Sequence, residues 1–267
     1  MKTEVEVFCE KYQLFNDDEI QKVQLLHRFQ LAQSFGIEEG MTVLEIGCGQ
    51  GDMTVVLADK VGASGHVTAI DIAGGDYGAP LTLEQSHQKI KQTVLGERIS
   101  FHLDTDFLSF EGLKHYDGIV FAHSSWYFHS PERLAEYLSK IRTVTSNLFF
   151  AEWDLAFTDI SQRGHFCAAM LLALHSTITE NDSNIQHLFS RETIHRMMED
   201  AGFSIAREET VYSRYLQDGQ WEMGYAKTLR DAFLKSPTQL QTLATSLIDA
   251  MKQSGTDSLD TFVLIGK

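Results

Sequence analysis

The sequence predicts an α/β protein built on a doubly wound seven-stranded sheet, mostly parallel, with its last strand antiparallel. Three observations carry this expectation. Short apolar runs alternate with helical stretches from residue 42 to residue 151. The first run, Thr42 to Ile46, opens straight into Gly47, Gly49 and Gly51, and glycines there let bare backbone and a helix N-terminus face a ligand. The second run ends in Asp71, 71 − 51 = 20 residues past the last glycine. At a similar spacing a carboxylate holds a ribose hydroxyl in dinucleotide folds.

Taken in order, the first 36 residues read as a helical cover. Leu25, Leu26, Phe29 and Ala32 recur at helical spacing, and Gly36 follows Phe35 as a stop. Strands are expected at 42–46, 66–70, 99–103, 118–122, 147–151, 203–211 and 260–265. The first five are rich in Val, Ile, Leu and Phe, as strands buried on both faces are. Helices at 53–61, 81–94 and 131–144 connect them. The loop from Ile72 to Pro80 holds three glycines and a proline, which delays its helix to about Leu81. Helix 191–201 has Ser190 as its cap, an apolar face of Ile194, Met197, Met198 and Ala201, and Gly202 as its stop.

Two segments are too long to be plain connections, and we expect them to form a cap over an acceptor pocket. Segment 153–189 holds an almost uninterrupted apolar helix, Phe166 to Leu174, flanked by His165 and His175. Segment 213–258 holds two helices, the second with a stripe of Leu240, Leu243, Leu247 and Met251. Residues 1–267 read as one domain.

Composition narrows the function. A formal charge of −15, from 22 basic and 37 acidic residues, repels phosphate backbones and argues against a nucleic-acid partner. No apolar run reaches the length of a membrane span. The charged start, Met1 to Glu6, lacks the apolar stretch of a signal peptide, so the expected location is the cytoplasm. Cys9, Cys48 and Cys167 have no paired spacing, which fits reduced thiols.

The glycine segment and the Asp71 strand are followed by Leu103-Asp104-Thr105-Asp106, Tyr116-Asp117-Gly118-Ile119-Val120 and Ala201-Gly202-Phe203. In order and spacing the chain resembles class I S-adenosylmethionine-dependent methyltransferases of the small-molecule type, over about 36–152 and 190–212. The resemblance implies S-adenosyl-L-methionine as cofactor. Glu45, Gly47, Gly49 and Gly51 would surround its methionine part, Asp71 would bind both ribose hydroxyls, and Asp104 with Thr105 would sit beside the adenine. That cofactor has no pyrophosphate, and no Lys-bearing phosphate loop is present. The alternatives are an NAD-linked oxidoreductase, disfavoured by single rather than double glycine spacers, and a cofactor-binding homologue without turnover.

His123 is the candidate for chemistry. It ends the fourth strand, where open α/β sheets place their crevice. There it is either a base for a hydroxyl or amine acceptor or a hydrogen-bonded part of the pocket wall. Trp126, Tyr127, Trp153, Trp221 and Tyr225 are candidates to line the acceptor pocket, with core packing the commoner role for each. Glu152 and Asp154 flank Trp153 without a third acid, so no metal is expected. The expected reaction moves a methyl group to an oxygen or nitrogen of a small organic metabolite.

Overall fold

The structure, a computed structural model, describes residues 2–179 and 184–267. Residues 180–183 of the expected cap segment 153–189, and residue 1 of the N-terminal cover, lie outside the described residues.

The N-terminal cover is two helices, α1 (Glu4–Tyr12) and α2 (Glu19–Phe35). Thr3 and Glu6 exchange side chain-to-backbone bonds at the start of α1, and the Asp18 carboxylate caps α2 by accepting the Gln21 N–H. The alternating elements then follow: β1 (Thr42–Ile46), α3 (Asp52–Val61), β2 (His66–Ile70), α4 (Leu83–Lys91), β3 (Ile99–His102), β4 (Gly118–Ala122), α5 (Pro131–Val144) and β5 (Leu148–Trp153). After them come α6 (Arg163–Ile178), α7 (Arg191–Asp200), β6 (Ile205–Val211), α8 (Asp218–Thr228), α9 (Thr238–Lys252) and β7 (Thr261–Gly266). The α4 helix starts two residues later than the loop composition predicts, because Thr82 and Gln85 form a reciprocal cap.

The strands hydrogen-bond in the order β3-β2-β1-β4-β5-β7-β6. Pairs among β1 to β5 are parallel, and β7 runs antiparallel between β5 and β6. Successive residues point to opposite layers. Val43 and Val120 pack with Phe29 of α2 and Leu57 of α3. Leu44 and Phe121 pack with Leu138 of α5, Leu171 of α6 and Ile248 of α9. Each such side chain contributes roughly 1.5–3 kcal/mol of burial, so the strand tips that carry the site are fixed from both sides.

Helices α6, α8 and α9 pack on one another. The stripe expected on α9 is rotated: Ala244, Ile248 and Met251 are buried, while Leu243 is 47% exposed. Small Ala244 takes the inner face and allows close approach, which leucine spacing alone does not reveal. No helix among the described residues is long and apolar enough to cross a membrane.

From β1 the chain builds outward to β2 and β3, then crosses back to β4 on the other side. The strand order therefore reverses between β1 and β4, and a crevice opens above their carboxyl ends.

Candidate active site

A cleft of about 960 Å³ occupies that crevice, lined by the exits of β1, β2 and β4 and by Arg28 of α2. Its floor is the glycine loop. Gly47 has φ 78°, and a Cβ there would stand 2.5 Å from the Cβ of Ser124, so the tips of β1 and β4 meet closer than a side chain permits. Gly49, at φ 50°, lines the cleft, and a Cβ there would meet nothing within 4 Å. Gly51 does not line the cleft; it caps the start of α3 and makes room for Ile90 and Phe101.

Asp71 fixes this loop. One carboxylate oxygen accepts the Gly49 N–H at 2.8 Å and the other accepts the Ala73 N–H at 2.9 Å. A carboxylate has about four lone-pair sites, so acceptor capacity remains toward the cleft that Asp71 lines. The peptide of Thr105 donates to the Asp71 carbonyl at 2.9 Å, which places Thr105 in the same wall. Asp104 is exposed, with a left-handed backbone and its carboxyl against Gly74, outside the cleft lining.

Glu45 is 2% exposed and accepts the Thr54 hydroxyl at 2.5 Å. Burial pushes its carboxyl up to about 8, so it holds its proton at neutral pH. A brace that sequence reasoning missed comes from α4. His87 Nε2 donates to the Gly49 carbonyl at 2.8 Å, and its ring stacks on Phe101 with centroids 3.8 Å apart. Nothing in the sequence around His87 marks it.

His123 sits at φ 55° at the end of β4, a conformation rare for a residue with a Cβ. Both of its ring nitrogens are engaged inside the wall. Nδ1 is 3.3 Å from Glu152 Oε1 and Nε2 is 2.9 Å from Nε2 of His27. Glu152 also accepts from the Ser125 N–H and hydroxyl and from the Trp153 N–H. Every partner donates to it, which assigns the hydrogen of His123 to Nδ1 and leaves Nε2 bare. His27 then donates from Nε2, and its Nδ1 faces the Ser213 hydroxyl at 3.4 Å. The register Trp153↔Thr261 brings the Thr261 hydroxyl within 3.4 Å of both imidazoles. Burial lowers the proton affinity of His27 and His123.

The other candidates separate. Tyr127 lines the cleft. Trp126 is buried and donates to the Phe189 carbonyl, and Trp153 is buried against the His123 ring, 4.2 Å between centroids. Trp221 and Tyr225 are about half exposed on α8, Trp221 at a second cavity of about 1290 Å³. His165 is fully buried, accepting the Leu259 N–H and bonding Glu222, and His175 packs near Phe233. Asp154 pairs with Arg191. Among the described residues no three His, Cys, Asp or Glu side chains converge as a metal site.

A family described as the methyltransferase domain matches residues 13–208. The chain belongs to that family. The methyl donor of this methyltransferase is S-adenosyl-L-methionine, and the residues present fit it: open peptide at Gly49, a carboxylate on the cleft side of β2, and a Tyr127 ring. The methyltransferase is 36% identical to a cyclopropane-fatty-acyl-phospholipid synthase-like protein from Lactobacillus casei, all of each chain being covered at a TM-score of 0.90. It is 29% identical over 176 residues to methyltransferase phomM of Diaporthe leptostromiformis, 56% of this chain and 46% of that one. The chain thus spans about half the length of the curated relatives it first matches. A cyclopropane synthase from Mycobacterium tuberculosis shares the fold at 14% identity and a TM-score of 0.56, with 99% of this chain and 94% of that one covered.

Proposed function

We propose that this methyltransferase moves a methyl group to an oxygen or nitrogen of a small organic molecule, with the donor held in the cleft above β1, β2 and β4. The observation that carries the reading is Asp71, which pins the Gly49 and Ala73 peptides while lining the cleft. In this reading Asp71 takes the ribose hydroxyls and Thr105 flanks the adenine. Glu45, Gly47 and Gly49 surround the methionine part. Gly51 serves them indirectly by starting α3, and Asp104 shapes the wall from behind through Gly74.

The bound donor supplies an electrophilic methyl group on a sulphonium. The protein's part is to hold the acceptor atom in line and to exclude water. The Tyr127 ring, with Phe128 beside it in the cleft lining, suits a cationic neighbour. His123 serves as base once its Nε2 parts from His27, while Glu152 keeps the Nδ1–H oriented. In this reading segments 153–189 and 213–258 contribute the cap, α8 and α9 packing on α6, whose His165 meets Trp153 edge to face.

A second reading rests on the description of the Lactobacillus casei relative: an unsaturated carbon of a lipid chain as the acceptor. Calorimetry with S-adenosylhomocysteine tests the donor site. Methyl-labelled donor, supplied with water-soluble metabolites and separately with phospholipid vesicles, tests the acceptor. Label in a metabolite hydroxyl or amine supports the first reading, and label in the lipid extract replaces it with the second.

A further inference from the structure

We propose that Arg28 is a receptor for a carboxylate carried by a bound ligand, a role that rests on reading the cleft as the donor site. Arg28 projects from α2 into the wall shared by the cleft and the second cavity, both of which it lines together with Gln50 and Asp52. Its Nη1 is buried and has no hydrogen-bond partner, and its Nη2 reaches only Gln24 Oε1, at a long 3.5 Å. A guanidinium stays charged under all ordinary conditions, and in this half-buried residue the sealed Nη1 keeps a hydrogen-bond donor without an acceptor.

The carboxylates nearby feel the Arg28 charge, Asp52 and Glu45 among them, but each hydrogen-bonds another group. Asp52 takes the Gln21 amide, Asp218 takes the Gln24 amide at 2.8 Å, and Glu45 takes the Thr54 hydroxyl. Among the described residues Arg28 has no ion-pair partner. The fork of a guanidinium matches a carboxylate with two parallel hydrogen bonds, so the unpaired cation is a socket for an anion brought from outside. Glu45, protonated and in the same cleft, would face the ammonium of an α-amino acid whose carboxylate lies on Arg28. Two ligands can supply that carboxylate: the amino-acid end of the donor, or an acid group on the acceptor.

Calorimetry on the wild-type protein and on Arg28→Met separates the two sources. The probes are S-adenosylhomocysteine and 5′-methylthioadenosine, which share nucleoside and sulphur and differ in the amino-acid end. If the donor is the source, Arg28→Met weakens S-adenosylhomocysteine about thirtyfold, as loss of a charge-assisted contact predicts, and leaves methylthioadenosine within about twofold. If the acceptor is the source, S-adenosylhomocysteine binds both proteins alike, and phenylacetate titrated into the saturated proteins binds the wild type alone. The ligand-free variant is expected to melt close to the wild type, because the substitution removes no ion pair and only the long Gln24 contact. Equal binding of all probes by both proteins overturns the role of Arg28, as does a variant that melts well below the wild type yet binds normally. A wild type that binds neither nucleoside overturns the donor-site reading, and phenylacetate on the free proteins then decides Arg28 separately.

Discussion

The Nε2 atoms of His27 and His123 stand 2.9 Å apart. Two neutral imidazoles keep that distance only when one carries the hydrogen and the other does not. The Glu152 acceptor on the far nitrogen of His123 makes His27 the donor. The contact also limits what His123 can do, since a second proton would set two N–H groups face to face.

Acid should therefore destabilise the protein through this pair. Burial holds His27 well below its ordinary 6.5, whereas the unfolded chain takes up a proton near ~6.5. As pH falls through that range the unfolded state binds more protons and stability drops. Urea unfolding at stepped pH is expected to show the wild type losing ground to His27→Gln between about pH 6.5 and 5. Parallel curves would refute the assignment.

Glu45 has the opposite sign. Its carboxyl keeps a proton up to about 8 against an ordinary 4.5, so the folded state binds more protons across that window and stability falls as pH rises. Glu45→Gln has no proton to lose. Its advantage over the wild type is expected to widen toward pH 8 by roughly 1.4 kcal/mol per pH unit. A gap that stays constant in melts from pH 5 to 8 removes the argument.

The two loop glycines are expected to fail differently. Gly47→Ala meets Ser124 and a left-handed backbone together, a loss of about 3 kcal/mol in folding stability. Gly49→Ala meets only the backbone penalty, about 1 kcal/mol. Its methyl group stands in the open cleft, where it should weaken S-adenosylhomocysteine at least about tenfold. Melting curves and calorimetry on the pair distinguish a folding position from a binding one. Similar losses of stability in both would contradict the geometry.

Asp71→Ala leaves the Gly49 and Ala73 N–H groups without their acceptor and removes a charged acceptor from the ligand. An affinity for S-adenosylhomocysteine lower by about 1.5–3 kcal/mol is expected. An unchanged dissociation constant means that the ribose is held elsewhere.

Much of the frame was readable because double-sided burial writes a strong local signal. Runs such as Val43-Leu44 and Phe149-Phe150 are apolar on consecutive residues and sit in opposite core layers. The glycine loop and Asp71 were readable for a related reason: backbone conformation and a strand-end acid are local features. The partners of the site were not. His27 meets His123 across 96 positions and Thr261 across 234, His87 reaches the glycine loop from α4, and no spacing rule joins them. Gly51 and Asp104 stand in the expected segments but outside the cleft lining, Gly51 starting α3 and the Asp104 carboxyl lying behind Gly74, since a motif position fixes a backbone and not what packs around it.

His27 and Arg28 are consecutive on α2, and the guanidinium charge is one reason both imidazoles resist a proton. An anion seated on Arg28 would cancel that repulsion. The rings would then become more basic at the moment the cleft is loaded, so occupancy of one socket would tune the acid–base strength of the wall beside it.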